Sequence, residues 1–282
     1  MLRILKLARP SVLGVVAAVT LMSPAFALDQ LDRIKQSGEL VLGTEARFPP
    51  FEFVENRQIV GYTSDMLEII KAKLPGVKVR QLDLPWQGIL SGLETSKFDY
   101  AYSSMTATKE RSERYALSLP IADASVGLLR RAGDTQFTEL AQMNGKVIGT
   151  QAGSGQLSTL IAYRDEVAKS GIKFEIKEYI DYNEAYADLG AGRIAAVANA
   201  LPNLLYTVKQ RPDVFAVVPG TLGPKLYFVW AARKGEDSAS LAAFFNSAIA
   251  ELNKSGEMAR LQTKWFGFPM PVPSDALPQP AL

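Results

Sequence analysis

Ala101-Tyr102-Ser103-Ser104-Met105-Thr106-Ala107-Thr108-Lys109-Glu110-Arg111 runs from an apolar strand through small hydroxyl residues into a helix with an arginine in its first turn. Thr108 is a good helix cap and Glu110 suits the positive end of the helix dipole, whereas Arg111 opposes it. A cation at that place calls for an anion. The anion is either a surface carboxylate of the chain or a small anionic or zwitterionic solute whose carboxylate the arginine clamps.

Working outward from this stretch, short strands alternate with helices. Leu40 to Glu45 reads as a buried strand, Asp65 to Leu74 as a helix apolar through Leu67, Ile70 and Leu74, and Val77 to Leu84 as a strand. Pro85 opens a helix along Trp86, Ile89, Leu90 and Leu93, and Phe98 to Ser104 is the next strand. The pattern then repeats, with strands at Lys146 to Gln151, Lys173 to Tyr179 and Ile194 to Asn199, and helices at Gln156 to Lys169 and Tyr182 to Gly190. Val214 to Val218 and Leu226 to Ala232 follow as strands. Helices at Ser238 to Lys254 and Glu257 to Phe266 are too little for a third core, so they cover the first unit.

These units imply an α/β chain with two lobes, each a mostly parallel sheet flanked by helices. The first lobe takes residues 28–122 and 229–268, the second 127–222, and hinge crossings fall at 123–126 and 223–228. Residues 269–282 read as a loose proline-rich tail.

The first 27 residues have the order of a secretory signal: Arg3, Lys6 and Arg9, an apolar stretch from Val12 to Met22, then Ala25-Phe26-Ala27 as a cleavage site. Their removal turns a formal charge of +2 into −1, with 28 basic against 29 acidic residues. The apparent basicity is therefore a targeting feature and gives no basis for nucleic-acid binding. With neither cysteine nor histidine, the chain has no disulfides, thiol nucleophiles, imidazole proton transfer or His/Cys zinc sites, and no cofactor or metal is expected.

In parallel sheets ligands lie beyond the C-terminal strand ends. Glu45, Ser103, Ser104, Gln151 and Asn199 all end expected strands. Gly149-Thr150-Gln151-Ala152-Gly153-Ser154-Gly155 is a small-residue turn entering a helix, suited to an anion. It is followed by Gln156 and Leu157, not by the Lys-Ser/Thr pair of a phosphate loop, so a carboxylate fits it better. Phe48 and Trp86 stand on separate loops where two rings can sandwich a solute, while Phe51 and Phe53 read as core.

With these residues placed, the chain resembles the periplasmic solute-binding proteins of polar amino acid ABC importers, extracellular solute-binding protein family 3. The resemblance is carried by Gly43-Thr44-Glu45-Ala46-Arg47-Phe48-Pro49-Pro50-Phe51-Glu52-Phe53, Val60-Gly61-Tyr62 with Asp65, Trp86-Gln87-Gly88-Ile89, Ser103-Ser104-Met105-Thr106 with Arg111, and Gly153-Ser154-Gly155. It implies Arg111 as partner of a ligand α-carboxylate with Thr106 and Ser154 as helpers, Ser104 at the α-substituents, Phe48 and Trp86 as ring platforms, and Glu45 at the ligand's distal end. One position departs from the family pattern. Where members commonly carry the Asp that pairs with an α-ammonium, this chain has Ala200 beside Asn199. That leaves Glu45, Asn199 or water for the task, or else a ligand that is N-substituted, cyclic or without an amine.

The resemblance thus implies a monomeric, exported receptor for a small carboxylate-bearing solute that closes over it and meets an ABC permease. An exported dehydratase of cyclohexadienyl carboxylates on the same scaffold, with Glu45 moving the proton, is the alternative in the enzyme class. A detached sensory module is a third reading.

Overall fold

The computed structural model describes residues 28–282; the expected leader lies outside them. The chain runs α1 (Gln30–Ser37), β1 (Glu39–Thr44), β2 (Arg47–Phe48), β3 (Glu52–Glu55), β4 (Gln58–Val60), α2 (Tyr62–Lys71), β5 (Lys78–Asp83), α3 (Ile89–Glu94), β6 (Tyr100–Thr106), α4 (Lys109–Arg114), β7 (Tyr115–Leu117) and β8 (Ala122–Asp123). It crosses into β9 (Val126–Arg131), β10 (Val147–Gln151), α5 (Gly155–Val167), β11 (Glu175–Tyr179), α6 (Tyr182–Gly190), β12 (Ala196–Ala200), α7 (Leu201–Gln210) and β13 (Phe215–Leu222). It then returns through β14 (Tyr227–Arg233) to α8 (Glu236–Lys254) and α9 (Glu257–Phe266).

Two sheets define two lobes. In the first the strand order is β5-β1-β6-β14-β7, with β8 beside β14; in the second it is β11-β10-β12-β9-β13. Each has a parallel half, β5, β1 and β6 or β11, β10 and β12, extended by antiparallel strands. The antiparallel strands are those on which the chain changes lobe. The two crossings meet where Asp123 pairs with Tyr227.

Strand β6 is buried along all seven residues, which is why it holds only apolar and small hydroxyl side chains and no charge. Its Tyr100 and Tyr102 face the helices at the C-terminal end of the chain: Tyr100 stacks on Phe245 at 3.9 Å and Tyr102 packs on Trp230. Ala101 and Met105 face the opposite way, into a cluster with Ile89, Leu93 and Phe98 from the α3 side. The Phe98 ring occupies the place where side chains on Gly43 and Gly92 would stand, so those two glycines let β1 and α3 close around it.

Three expectations are corrected. The stretch after Glu45 is not a plain loop but the small antiparallel sheet β2-β3-β4. The helix expected from Pro85 begins as a 3-10 turn over Trp86–Gly88 before α3. The proline-rich tail is tied down: Met270 is buried and donates its N–H to Gln262, and the N–H of Lys109 donates to the carbonyl of Leu282 at 2.7 Å. Apolar anchors at Met270, Val272 and Leu282 hold it where composition alone suggests a loose end.

Candidate functional site

Strand ends and helix starts from both lobes meet over one narrow space. Glu45, Phe48, Trp86, Ser104, Thr106 and Arg111 of the first lobe face Gln151, Ser154, Gly155 and Gln156 of the second across a nearly filled cavity of about 10 Å³. A larger surface depression of about 530 Å³ lies by Arg131 and Asp134, but these two charges pair with each other at 3.2 Å and nothing convergent lines it.

The lobes touch directly around the cavity. Trp86 Nε1 donates to the Gly153 carbonyl at 3.0 Å, Gln87 Nε2 to the Ile180 carbonyl at 3.1 Å, and Asn203 Nδ2 to the Pro49 carbonyl at 2.8 Å. Gln151 Nε2 donates to Glu45 Oε1 at 2.7 Å. Gly155, the first residue of α5, lies so close to Thr106 that a β-carbon there would stand 2.5 Å from the threonine Cβ. A closed cleft is the geometry described.

Arg111 sits in the first turn of α4, its own N–H received by the Thr108 cap. Its guanidinium donates to the Thr106 carbonyl at 2.9 Å and the Gly153 carbonyl at 3.1 Å, and lies 5.1 Å from the Trp86 ring centre. Among the described residues no carboxylate pairs with it. Burial holds its pKa down to about 10, since a desolvated cation without a counter-charge is costly. Two further polar atoms beside it are buried and without partners: the Thr106 hydroxyl and Gln156 Nε2. An anion in this corner satisfies all three.

The acidic groups behave in the opposite sense. Burial, reinforced by the neighbouring Glu52, raises the Glu45 pKa to about 8 despite the hydrogen bond from Gln151. Glu52 on β3 is wholly buried and raised to about 7, again by desolvation, while four donors pull it back.

Of the ten expected site residues, eight line the cavity and two do not. Ser103 donates to Glu52 and receives the Glu45 N–H, so its hydroxyl braces the strand ends. Asn199 is turned away: Nδ2 donates to the Tyr186 hydroxyl and Oδ1 receives the Ala200 N–H. Ser154 lines the space, but its proton goes to the Gln151 carbonyl and its oxygen caps α5 by accepting from Leu157. It therefore orders the anion-facing helix start and has no proton left for a carboxylate. Phe48 is both wall and core, packed on Phe51, Tyr182 and Phe228. Phe51 is core, while Phe53 is only half-buried, between Tyr206 and Trp265.

Two contributors escape the sequence reading. Gln156 follows the glycine turn at the second position of α5, and its place there is its only local signal. Glu52 could have been flagged as an acid set between two phenylalanines. Among the described residues no cluster of acidic groups could hold a metal ion, and no helix is long and apolar enough to cross a membrane.

A two-lobed α/β fold with a polar cavity between lobes, a buried cation on one wall and aromatic rings beside it, is the architecture of a solute-binding protein. The chain belongs to the bacterial extracellular solute-binding proteins, family 3, whose model matches residues 40–268. It is 28% identical over 272 residues to the L-cystine-binding protein TcyJ of Escherichia coli (strain K12), covering 94% of this chain and 98% of the relative. Among solved structures it is similar to an ancestral arginine-binding protein bound to arginine, at 33% identity and a TM-score of 0.71 over 82% of this chain and 99% of that one. It is also similar to the ancestral amino acid-binding protein AncCDT-1, a precursor of cyclohexadienyl dehydratase, at 28% identity and a TM-score of 0.71 over 84% and 99%. Family membership supports a small-molecule solute and a cognate membrane permease.

Proposed function

We propose that the chain is exported to the periplasm and there binds a small amino acid or amino-acid-like solute through its carboxylate, closing over it for an ABC permease. The observation that carries this is Arg111: a buried guanidinium held by two carbonyls and a ring, beside the unpartnered Thr106 hydroxyl and Gln156 amide. A carboxylate placed there receives the guanidinium's remaining protons and both neighbours. The lobe–lobe hydrogen bonds at Gly153 and Glu45 give the closed form a defined shape for a permease to recognise. Support for the amino-acid class comes from relatives described as binding cystine or arginine.

Isothermal titration against the amino acids, opines and cyclic zwitterions tests this reading. Saturable binding by a member of that panel, lost with Arg111→Ala, supports it; silence across the panel together with turnover of some compound overturns it.

One observation favours a second reading. Glu45, raised to about 8, is a neutral acid at pH 7 inside a closed cavity, and so a group able to give up a proton. The relation to a precursor of cyclohexadienyl dehydratase makes prephenate and arogenate the compounds to try. Loss of their absorbance signal on adding protein selects the enzyme.

A further inference from the structure

We propose that Glu52, which does not reach the cavity, makes the site selective for a free amine by fixing Ser104 as a hydrogen-bond acceptor toward the ligand. The proposal rests on the reading of the site as an amino-acid cleft and names the group within it that recognises the amine.

The bookkeeping of protons carries it. Glu52 Oε1 accepts the Ser104 N–H at 2.6 Å and the Ser103 hydroxyl at 3.2 Å. Oε2 accepts the Ser104 hydroxyl at 2.9 Å and the Thr63 hydroxyl at 3.0 Å. Both protons that Ser104 owns are therefore directed at one buried carboxyl group, behind the cavity wall. What remains to face the ligand is oxygen lone pairs. Thr63 can turn its proton to the Phe51 carbonyl at 2.9 Å, so Glu52 can carry a proton toward Thr63 and still receive Ser104. With its proton directed at Thr63, a neutral Glu52 keeps Ser104 an acceptor just as the carboxylate does.

The rest of the cavity has a matching polarity. Arg111 and Gln156 Nε2 form a donor corner, while Ser104 Oγ is an acceptor on the first-lobe wall. The end of β12 offers no acid, because Asn199 is engaged with Tyr186 and the next residue is Ala200. An amine next to a clamped carboxylate is then met by Ser104, with the Glu52 carboxyl directly behind it. A ligand with a carbonyl or only hydrogen at that carbon makes a poorer match, since a carbonyl sets an acceptor against an acceptor and a hydrogen leaves the Ser104 lone pairs without a donor.

Isothermal titration compares the parent with Glu52→Gln and Ser104→Ala on two matched pairs: L-arginine with 5-guanidinopentanoate, and L-glutamine with glutaramate. The quantity read is the ratio of dissociation constants within a pair. The parent is expected to prefer the amine by about tenfold or more, as for a hydrogen bond to a charged group. In Glu52→Gln the amide can donate to Ser104 and push its proton into the cavity; the preference should fall about tenfold while the deamino compound keeps its affinity within about threefold. Ser104→Ala should do the same with Glu52 in place, and it decides the matter if circular dichroism shows Glu52→Gln unfolded. Equal losses for both members of a pair, or a parent without preference, overturn the proposal. A parent that binds neither pair nor any other amino acid fails the underlying reading, which is seen before any variant is made.

Discussion

Adding one methyl group at Gly155 should separate folding from closure. Gly155 opens α5 with an ordinary backbone conformation, so alanine is tolerated locally and is the better helix former. Across the cleft, however, the new Cβ would stand 2.5 Å from the Thr106 Cβ and 2.8 Å from its Cγ2 and Oγ1. Comfortable contact needs about 3.5 Å, so the lobes must stop about 1 Å short. Two bonds to Gly153, from Trp86 at 3.0 Å and Arg111 at 3.1 Å, then stretch beyond useful length. Losing one neutral and one charged hydrogen bond costs about 2 to 4 kcal/mol, or about thirtyfold to a thousandfold in affinity. Titration with whichever amino acid the parent binds measures the loss, and small-angle scattering should show a larger radius for the ligand-bound variant. The melting temperature without ligand should hold or rise. Affinity within about threefold of the parent, or a melting temperature that drops while affinity stands, refutes Gly155 as a closure residue.

Arg111→Ala should weaken binding by about thirtyfold or more, Arg111→Lys by less because a point charge remains, and Gln151→Ala least, as titrations of the three will rank. Without ligand, thermal stability should decline as pH rises from 5 to 7, because Glu52, wholly buried among first-lobe partners, has its pKa raised to about 7 and folds more readily when protonated. The group contributes up to about 1.4 kcal/mol per pH unit, present in full below the unfolded pKa of a glutamate and lost through the folded one, and Glu52→Gln should flatten the melting curve against pH. Carboxylates held low, such as Asp188 between Lys177, Tyr179 and Arg193, act below that window. Ala200→Asp places a carboxylate at a wholly buried position at the end of β12; it should lower the melting temperature and leave affinity for free amino acids unimproved.

The alternation of strand and helix was legible because both faces of each sheet are covered, so that central strands such as β6 carry no charge and are buried throughout. The small β2-β3-β4 sheet was not, since strands of two to four residues are too short to carry a period. The tail was misread for a related reason: Met270, Val272 and Leu282 are anchors spaced too irregularly to signal burial. In the site, Arg111 stood out because a cation opposes the local helix dipole, a conflict visible in a few residues. Ser103 and Asn199 did not lie where their strand ends suggested, because their direction is set by partners 51 residues away in Glu52 and 13 residues away in Tyr186. Local sequence gives position along a strand. Which of two polar groups a side chain turns to is decided by packing.

The charge state of the cavity bears on which amino acid it takes. With Glu45 neutral at pH 7 and Arg111 charged, its walls carry net positive charge, which a single carboxylate offsets. A zwitterion with an uncharged side chain, such as glutamine, brings that carboxylate and an amine without requiring Glu45 to ionise. A side-chain cation such as that of arginine, set against Glu45, favours its charged form, so the buried acid must release a proton on binding. Calorimetry in buffers of different ionisation enthalpy reads this directly. Binding of arginine near pH 7 should release close to one proton and lose that release above about pH 9, once Glu45 is already ionised, whereas glutamine should release none. Arginine binding without proton release would place its side chain away from Glu45, and the acid would then belong to the bond with Gln151 that holds the lobes together.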